Sequence, residues 1–183
     1  EARARPVAEA LVAGGLRALE VTLRTECALE VIAEMAKVEG AVVGAGTVLN
    51  GDDLKASVDA GARFIVSPGL TTDVAQAARA TEVPLLPGTA NASDIMRGLD
   101  LGLTHFKFFP AAAAGGIPAL KALSAPFGQA RFCPTGGIKQ ETAAEWLALP
   151  SVLCVGGSWL VPAGTPDQAA ITQRARQAVA LKG

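Results

Sequence analysis

Histidine occurs once in the 183 residues, and no apolar run approaches the roughly 20 residues that cross a bilayer. A single histidine argues against a His-rich zinc site. No charge of either sign dominates: 16 Lys and Arg stand against 17 Asp and Glu, for a net charge of −1, and no basic cluster stands out. That balance speaks against nucleic acid or an anionic membrane as the main partner. Cysteine is scarce too. Cys27, Cys133 and Cys154 are odd in number and far apart, which reads as reduced buried thiols in a cytoplasmic protein, not as a disulfide framework. There is no signal-peptide pattern, no linker and no low-complexity segment. The chain opens "EARARP" and not with Met, so the reading expects a piece upstream of it. Half the residues are hydrophobic, enough for the core of one compact domain spanning 1–183.

What is present is a repeat. Short apolar runs at 18–23, 41–48, 63–69, 84–89, 105–110, 131–137 and 151–158 alternate with longer Ala-rich amphipathic runs. A βα period of this kind predicts a parallel sheet, and near-continuous apolar strands fit a sheet covered on both faces. Several helical runs close on Gly just before the next strand ("AGGLRALEV", "AGARFIVS", "LGLTHFKF"), where Gly suits the position after a helix end. Seven strands fall one short of a (β/α)₈ barrel. Because "ARPVAEALVAGG" opens the chain as a helix, the reading puts strand one upstream of residue 1 and expects strands two to eight here. An open doubly wound sheet is the alternative. Small polar residues, Gly and Pro at the strand ends favour the barrel, as does the lack of G-x-G-x-x-G in the first βα unit.

The strand "HFKFFP" (105–110) poses the chemical question, since Lys107 sits among three of the chain's six phenylalanines. Strand side chains alternate between faces. Phe106 and Phe108 suit the helix-covered side, which turns Lys107 into the barrel. Burial without a partner is costly for an ammonium and lowers its pKa. Snorkelling to the rim or a structural ion pair is the blander explanation. The acids narrow the choice: of the 17, only Glu20 lies within a predicted strand. In "LEVTLRT" it shares a face with Thr22 and Arg24. A Lys, a Glu and an Arg then meet near the C-terminal mouth, where barrel enzymes hold their active sites. A neutral lysine attacks ketones to form Schiff bases, a carboxylate moves the protons, and an Arg suits a substrate carboxylate. These residues point to imine chemistry on an anionic keto substrate.

Other strand ends add binding groups. "PTGGIK" and "VGGS" end the last two runs, and glycine turns at the ends of strands seven and eight can cradle phosphate. Thr47 in "GAGTVLN" is either a hydroxyl for a carboxylate or a cap for the helix beginning near Asn50. Pro68 in "SPGL" ends a strand and can form a pocket wall.

Taken together, "EVTLRT", "GAGTVLN", "SPGLT", "FKFFPA", "FCPTGGI" and "GGSWLVP" resemble the bacterial 2-keto-3-deoxy-6-phosphogluconate (KDPG) aldolases, which often also cleave 4-hydroxy-2-oxoglutarate (KHG). The resemblance spans the chain in order and spacing. It implies a (β/α)₈ class I aldolase, metal- and cofactor-free, homotrimeric, acting on a small keto-acid phosphate. By motif, it makes Lys107 the Schiff-base lysine and Glu20 the proton shuttle. Arg24 and Thr47 then hold the pyruvate-end carboxylate, and Pro68 and Phe109 wall the imine. Thr135 touches substrate, and Gly136, Gly137 and Ser158 cradle phosphate. Three rival readings remain: an aldolase for the galactonate analogue, a phosphosugar isomerase or epimerase on the same barrel with Glu20 as base, or a catalytically dead sugar-phosphate binder.

Overall fold

The computed structural model describes residues 2–162, 164 and 167–181. Helix α1 (Ala4–Ala13) leads into strand β1 (Ala18–Thr22), α2 (Ala28–Ala36), β2 (Val42–Gly46) and α3 (Gly51–Asp59). Then follow β3 (Phe64–Ser67), α4 (Thr72–Ala80), β4 (Leu85–Thr89), α5 (Ala92–Asp100) and β5 (His105–Phe108). The chain continues through α6 (Gly116–Ser124), β6 (Arg131–Pro134), α7 (Gln140–Leu147) and α8 (Gln168–Ala180).

Local chemistry sets these boundaries. Asn50, Thr71 and Asn91 each accept a backbone N–H three residues on, which satisfies a donor that the first helical turn leaves open. At the other ends, Gly15, Gly61 and Gly102 have φ of 93°, 103° and 80°, as the helix-closing pattern predicts.

All strand pairs are parallel and run in chain order, β1 to β6. The sheet is strongly curled. Neighbouring strands lie about 4.8 Å apart, so a flat sheet would hold β1 and β5 roughly 19 Å from each other. Yet Lys107 Nζ on β5 lies 3.9 Å from Glu20 Oε1 on β1. Both side chains rise from the concave face of a half-barrel. The convex face carries the helices and the core between them. Phe106, Phe108 and Phe132 are all but inaccessible there, with Phe106 packed on Phe132 and Phe108 on Trp146. Burying each ring stabilises the fold by about 1.5–3 kcal/mol. Helix α8 closes against α1, where Thr172 donates to the Ala10 carbonyl and Ala175 fills the space beside Gly14.

One expected strand is not continuous. The backbone of the run 151–158 pairs alongside β6 only through isolated bridges, Phe132 with Val152 and Thr135 with Gly156. Between these bridges the run carries one residue more than β6, so the register shifts and the ladder breaks. Gly156 and Gly157 also weaken it as a strand. Among the described residues the sheet therefore has six strands, in place of the seven expected.

Candidate active site

Strand alternation delivers Lys107 to the concave face, since Phe106 and Phe108 on either side are claimed by the outer core. Lys107 is 7% exposed. Its ammonium group lies 4.8 Å from the centre of the Phe109 ring, a cation–π arrangement that shelters it from water. Its separation from Glu20 is an ion-pair distance, too long for a hydrogen bond. The gap suits a substrate oxygen exchanging protons with the carboxylate while its carbon meets the amine.

Glu20 reaches Lys107 by leaning along its neighbour strand. It pairs with Gly44, but its carboxylate lies over Gly46, two residues nearer the C-terminal strand end. Arg24 sits exposed on the loop after β1 and forms no ion pair among the described residues. Thr47 follows β2 at the same end, with φ of 60°. A β-branched residue at positive φ is strained by about 1–3 kcal/mol. Capping does not explain it, because Asn50 caps α3 with its own side chain, accepting from the Asp53 amide at 2.8 Å. The hydroxyl of Thr47 is thus left to another use. Pro68 follows β3, and its carbonyl backs directly onto Gly88 of β4.

The segments after β6 are built differently. Thr135 bridges Gly156, which puts the Gly136–Gly137 turn beside the run that leads to Ser158. Gly136 and Gly137 have φ of 101° and 76°. Glycine reaches this left-handed region without the Cβ penalty that other residues meet there. Ser158 is exposed. Lys107, Glu20 and Phe109 therefore stand together around one amine. Arg24, Thr47 and Pro68 lie at the same C-terminal strand ends.

From sequence, Cys133 reads as an ordinary buried thiol. In the structure it is in register with Lys107 and so faces the same interior. A hydrogen bond with Cys154 and burial push its thiol well above its ordinary range, and the charges of Cys154 and Glu20 add to this. Alternation within "RFCPT" gives the facing of Cys133. The pairing across strands is not local and leaves no mark in either segment alone. Surface depressions beside α1 and α2, one lined by Glu30 and Glu34 and one by Arg5, Glu9 and Lys37, hold none of these residues.

Comparison with known proteins places this arrangement. The family model for KDPG and KHG aldolase matches residues 1–174. A 2-dehydro-3-deoxy-phosphogluconate aldolase of Zymomonas mobilis is 61% identical over 99% of this chain and 87% of its own. Its crystal structure with 3-phosphoglycerate superimposes at a TM-score of 0.97, again covering 99% of this chain and 87% of that one. A KHG/KDPG aldolase of Escherichia coli is 56% identical over 95% of this chain and 84% of its own. A KDPG aldolase of Legionella pneumophila, with pyruvate captured at low pH as a covalent carbinolamine intermediate, is 47% identical. It superimposes at a TM-score of 0.86 over 99% of this chain and 86% of that one.

Proposed function

The chain belongs to the KDPG and KHG aldolase family, and on that premise we propose that it is a Schiff-base aldolase. It cleaves 2-dehydro-3-deoxy-6-phosphogluconate to pyruvate and glyceraldehyde 3-phosphate, and 4-hydroxy-2-oxoglutarate to pyruvate and glyoxylate. The observation that carries this reading is the sheltered amine of Lys107, 3.9 Å from the carboxylate of Glu20 on the concave face.

The chemistry follows from that pair. Lys107 Nζ attacks C2 of the substrate and forms a carbinolamine. Glu20 moves the protons that let water leave, giving a protonated imine. Glu20 then takes the proton of the C4 hydroxyl, the C3–C4 bond breaks, and its electron pair flows into the imine. The aldehyde departs, and an enamine of pyruvate stays on Lys107. Protonation at C3 and hydrolysis free pyruvate and regenerate the amine. The imine supplies the electron sink, so the reaction is proposed to be metal- and cofactor-independent and to survive exhaustive chelation. Arg24 and Thr47 are assigned to the substrate carboxylate, which the cation and the strained hydroxyl both suit. Pro68 and Phe109 wall the imine, Thr135 contacts the chain of the sugar acid, and Gly136, Gly137 and Ser158 receive the phosphate.

We read the curled sheet as part of a (β/α)₈ barrel, which its consecutive parallel order supports. Homotrimeric assembly rests on the family resemblance, and light scattering tests it. A cytoplasmic setting is supported by three cysteines with no disulfide, and no helix among the described residues is long and apolar enough to cross a membrane. The direct test of function is a coupled assay for pyruvate with KDPG and KHG as substrates. Release of pyruvate from KDPG is expected; none from either substrate would refute the reading.

A further inference from the structure

We propose that Gly46 is a positioning residue: its missing side chain is the seat of the Glu20 carboxylate, and through Glu20 it sets the rate of proton transfer. This rests on the reading that Glu20 moves the protons of the Lys107 imine. The geometry behind it is specific. A Cβ on Gly46 would stand 2.7 Å from Glu20 Cδ and 2.9 Å from Cγ, and nearer still to Oε1. Real Cβ atoms do not approach other heavy atoms so closely, so the carboxylate would have to leave its place. That place is what puts Oε1 within 3.9 Å of Lys107 Nζ.

Backbone conformation does not demand a glycine here. Gly46 lies within β2, in register with Thr22, and is not among the glycines at positive φ. An alanine therefore fits the backbone conformation, and the three atoms nearest its Cβ all belong to Glu20. This separates Gly46 from the glycines that close helices. Gly44, two residues earlier on the same strand, is a useful contrast. A Cβ there would overlap the ring of Phe64, and its nearest neighbours include no atom of Glu20. The same device recurs across the cleft, where a Cβ on Gly156 would stand 2.9 Å from Thr135 Cγ2 and 3.2 Å from its Cβ. In each case a glycine leaves room for a polar side chain of the neighbouring segment to lie across it.

The experiment is a double-mutant cycle on KDPG cleavage, with kcat and KM measured separately. Gly46→Ala is expected to lower kcat on the order of 10²-fold, the scale of a catalytic group misplaced by about 1 Å, with little change in KM. In a Glu20→Gln background, which has no carboxylate left to misplace, the same change is expected to cost less than about threefold. Gly44→Ala, a packing change, is expected to have the same effect in both backgrounds. Shortening the acid relieves the overlap, so Gly46→Ala on Glu20→Asp is expected to fold and to match Glu20→Asp alone within about threefold. Should Gly46→Ala alone fail to fold, that pair decides: a folded double variant supports the seat, and an unfolded one overturns it. Full additivity between Gly46→Ala and Glu20→Gln, seen as an equal loss in both backgrounds, also overturns it. A wild-type protein that releases no pyruvate would instead refute the functional reading, before any variant is compared.

Discussion

The two ends of the concave face are made of different material. At the proposed imine end, single side chains from the middle of strands face one another. Lys107 is 7% exposed, walled by Phe109 and faced by Glu20. At the proposed phosphate end the groups are turn backbone and one exposed hydroxyl, from Gly136, Gly137 and Ser158. A reaction that passes through one nitrogen needs that atom held closely, and parallel strands on both sides of β5 do so. A phosphate spreads its charge over several oxygens and accepts a looser ring of amide donors. On the proposed assignment, the fold fixes the reacting atoms on its sheet and leaves recognition of the remote charge to its loops.

Substitutions at the two ends should therefore separate cleanly. The largest effect is expected at the amine: Lys107→Ala should lose on the order of 10⁵-fold or more in turnover of both substrates, the scale of removing a covalent nucleophile. Pyruvate release in the coupled assay measures this, and substantial remaining activity would break the contrast. Glu20→Gln should cost about 10²- to 10⁴-fold in kcat on both substrates alike. Ser158→Ala should lower kcat/KM for KDPG by roughly 10-fold, the value of one hydrogen bond to a charged group, and leave KHG within about twofold. Equal losses on both would mean that Ser158 does not serve the phosphate.

The smallest effect is on stability and lies at Cys133, between the two ends. Its thiol is held above its ordinary range, first by Cys154 and then by burial. The unfolded chain gives up this proton from about pH 8.5, while the folded protein keeps it to higher pH. The contribution to stability is thus complete below about pH 8.5 and is lost as pH rises towards the folded value. Melting temperatures of Cys133→Ser should fall less steeply above about pH 8.5 than those of the wild type, and parallel curves would contradict the assignment.

Much of this was legible in the sequence, for identifiable reasons. The period of two sorts "HFKFF" into two faces, and the outer core bears this out with Phe106 and Phe108. Glu20 stands out because it is the one acid within a predicted strand, and the contact with Lys107 shows both on the concave face. Helix ends at Gly15, Gly61 and Gly102 follow from their punctuation. Other features were hidden because they depend on the register between strands. The seat at Gly46 is a missing side chain, invisible until the lean of its neighbour is known. The nearness of Cys133 to Cys154 joins segments that carry no common pattern. The run 151–158 has the composition of a strand, but a register shift against β6 decides its form. Thr47 reads equally well as a cap or a ligand until Asn50 is seen to cap α3.

The central claim is that one sheltered amine forms the covalent bond to substrate, and it has a direct test. The protein is incubated with pyruvate, reduced with borohydride, digested, and the modified peptide is located by mass spectrometry. A stable reduced pyruvate adduct on Lys107 is the expected result. An adduct on Lys121 or Lys139 with Lys107 untouched, or no adduct at all in a protein that still cleaves KDPG, would contradict it.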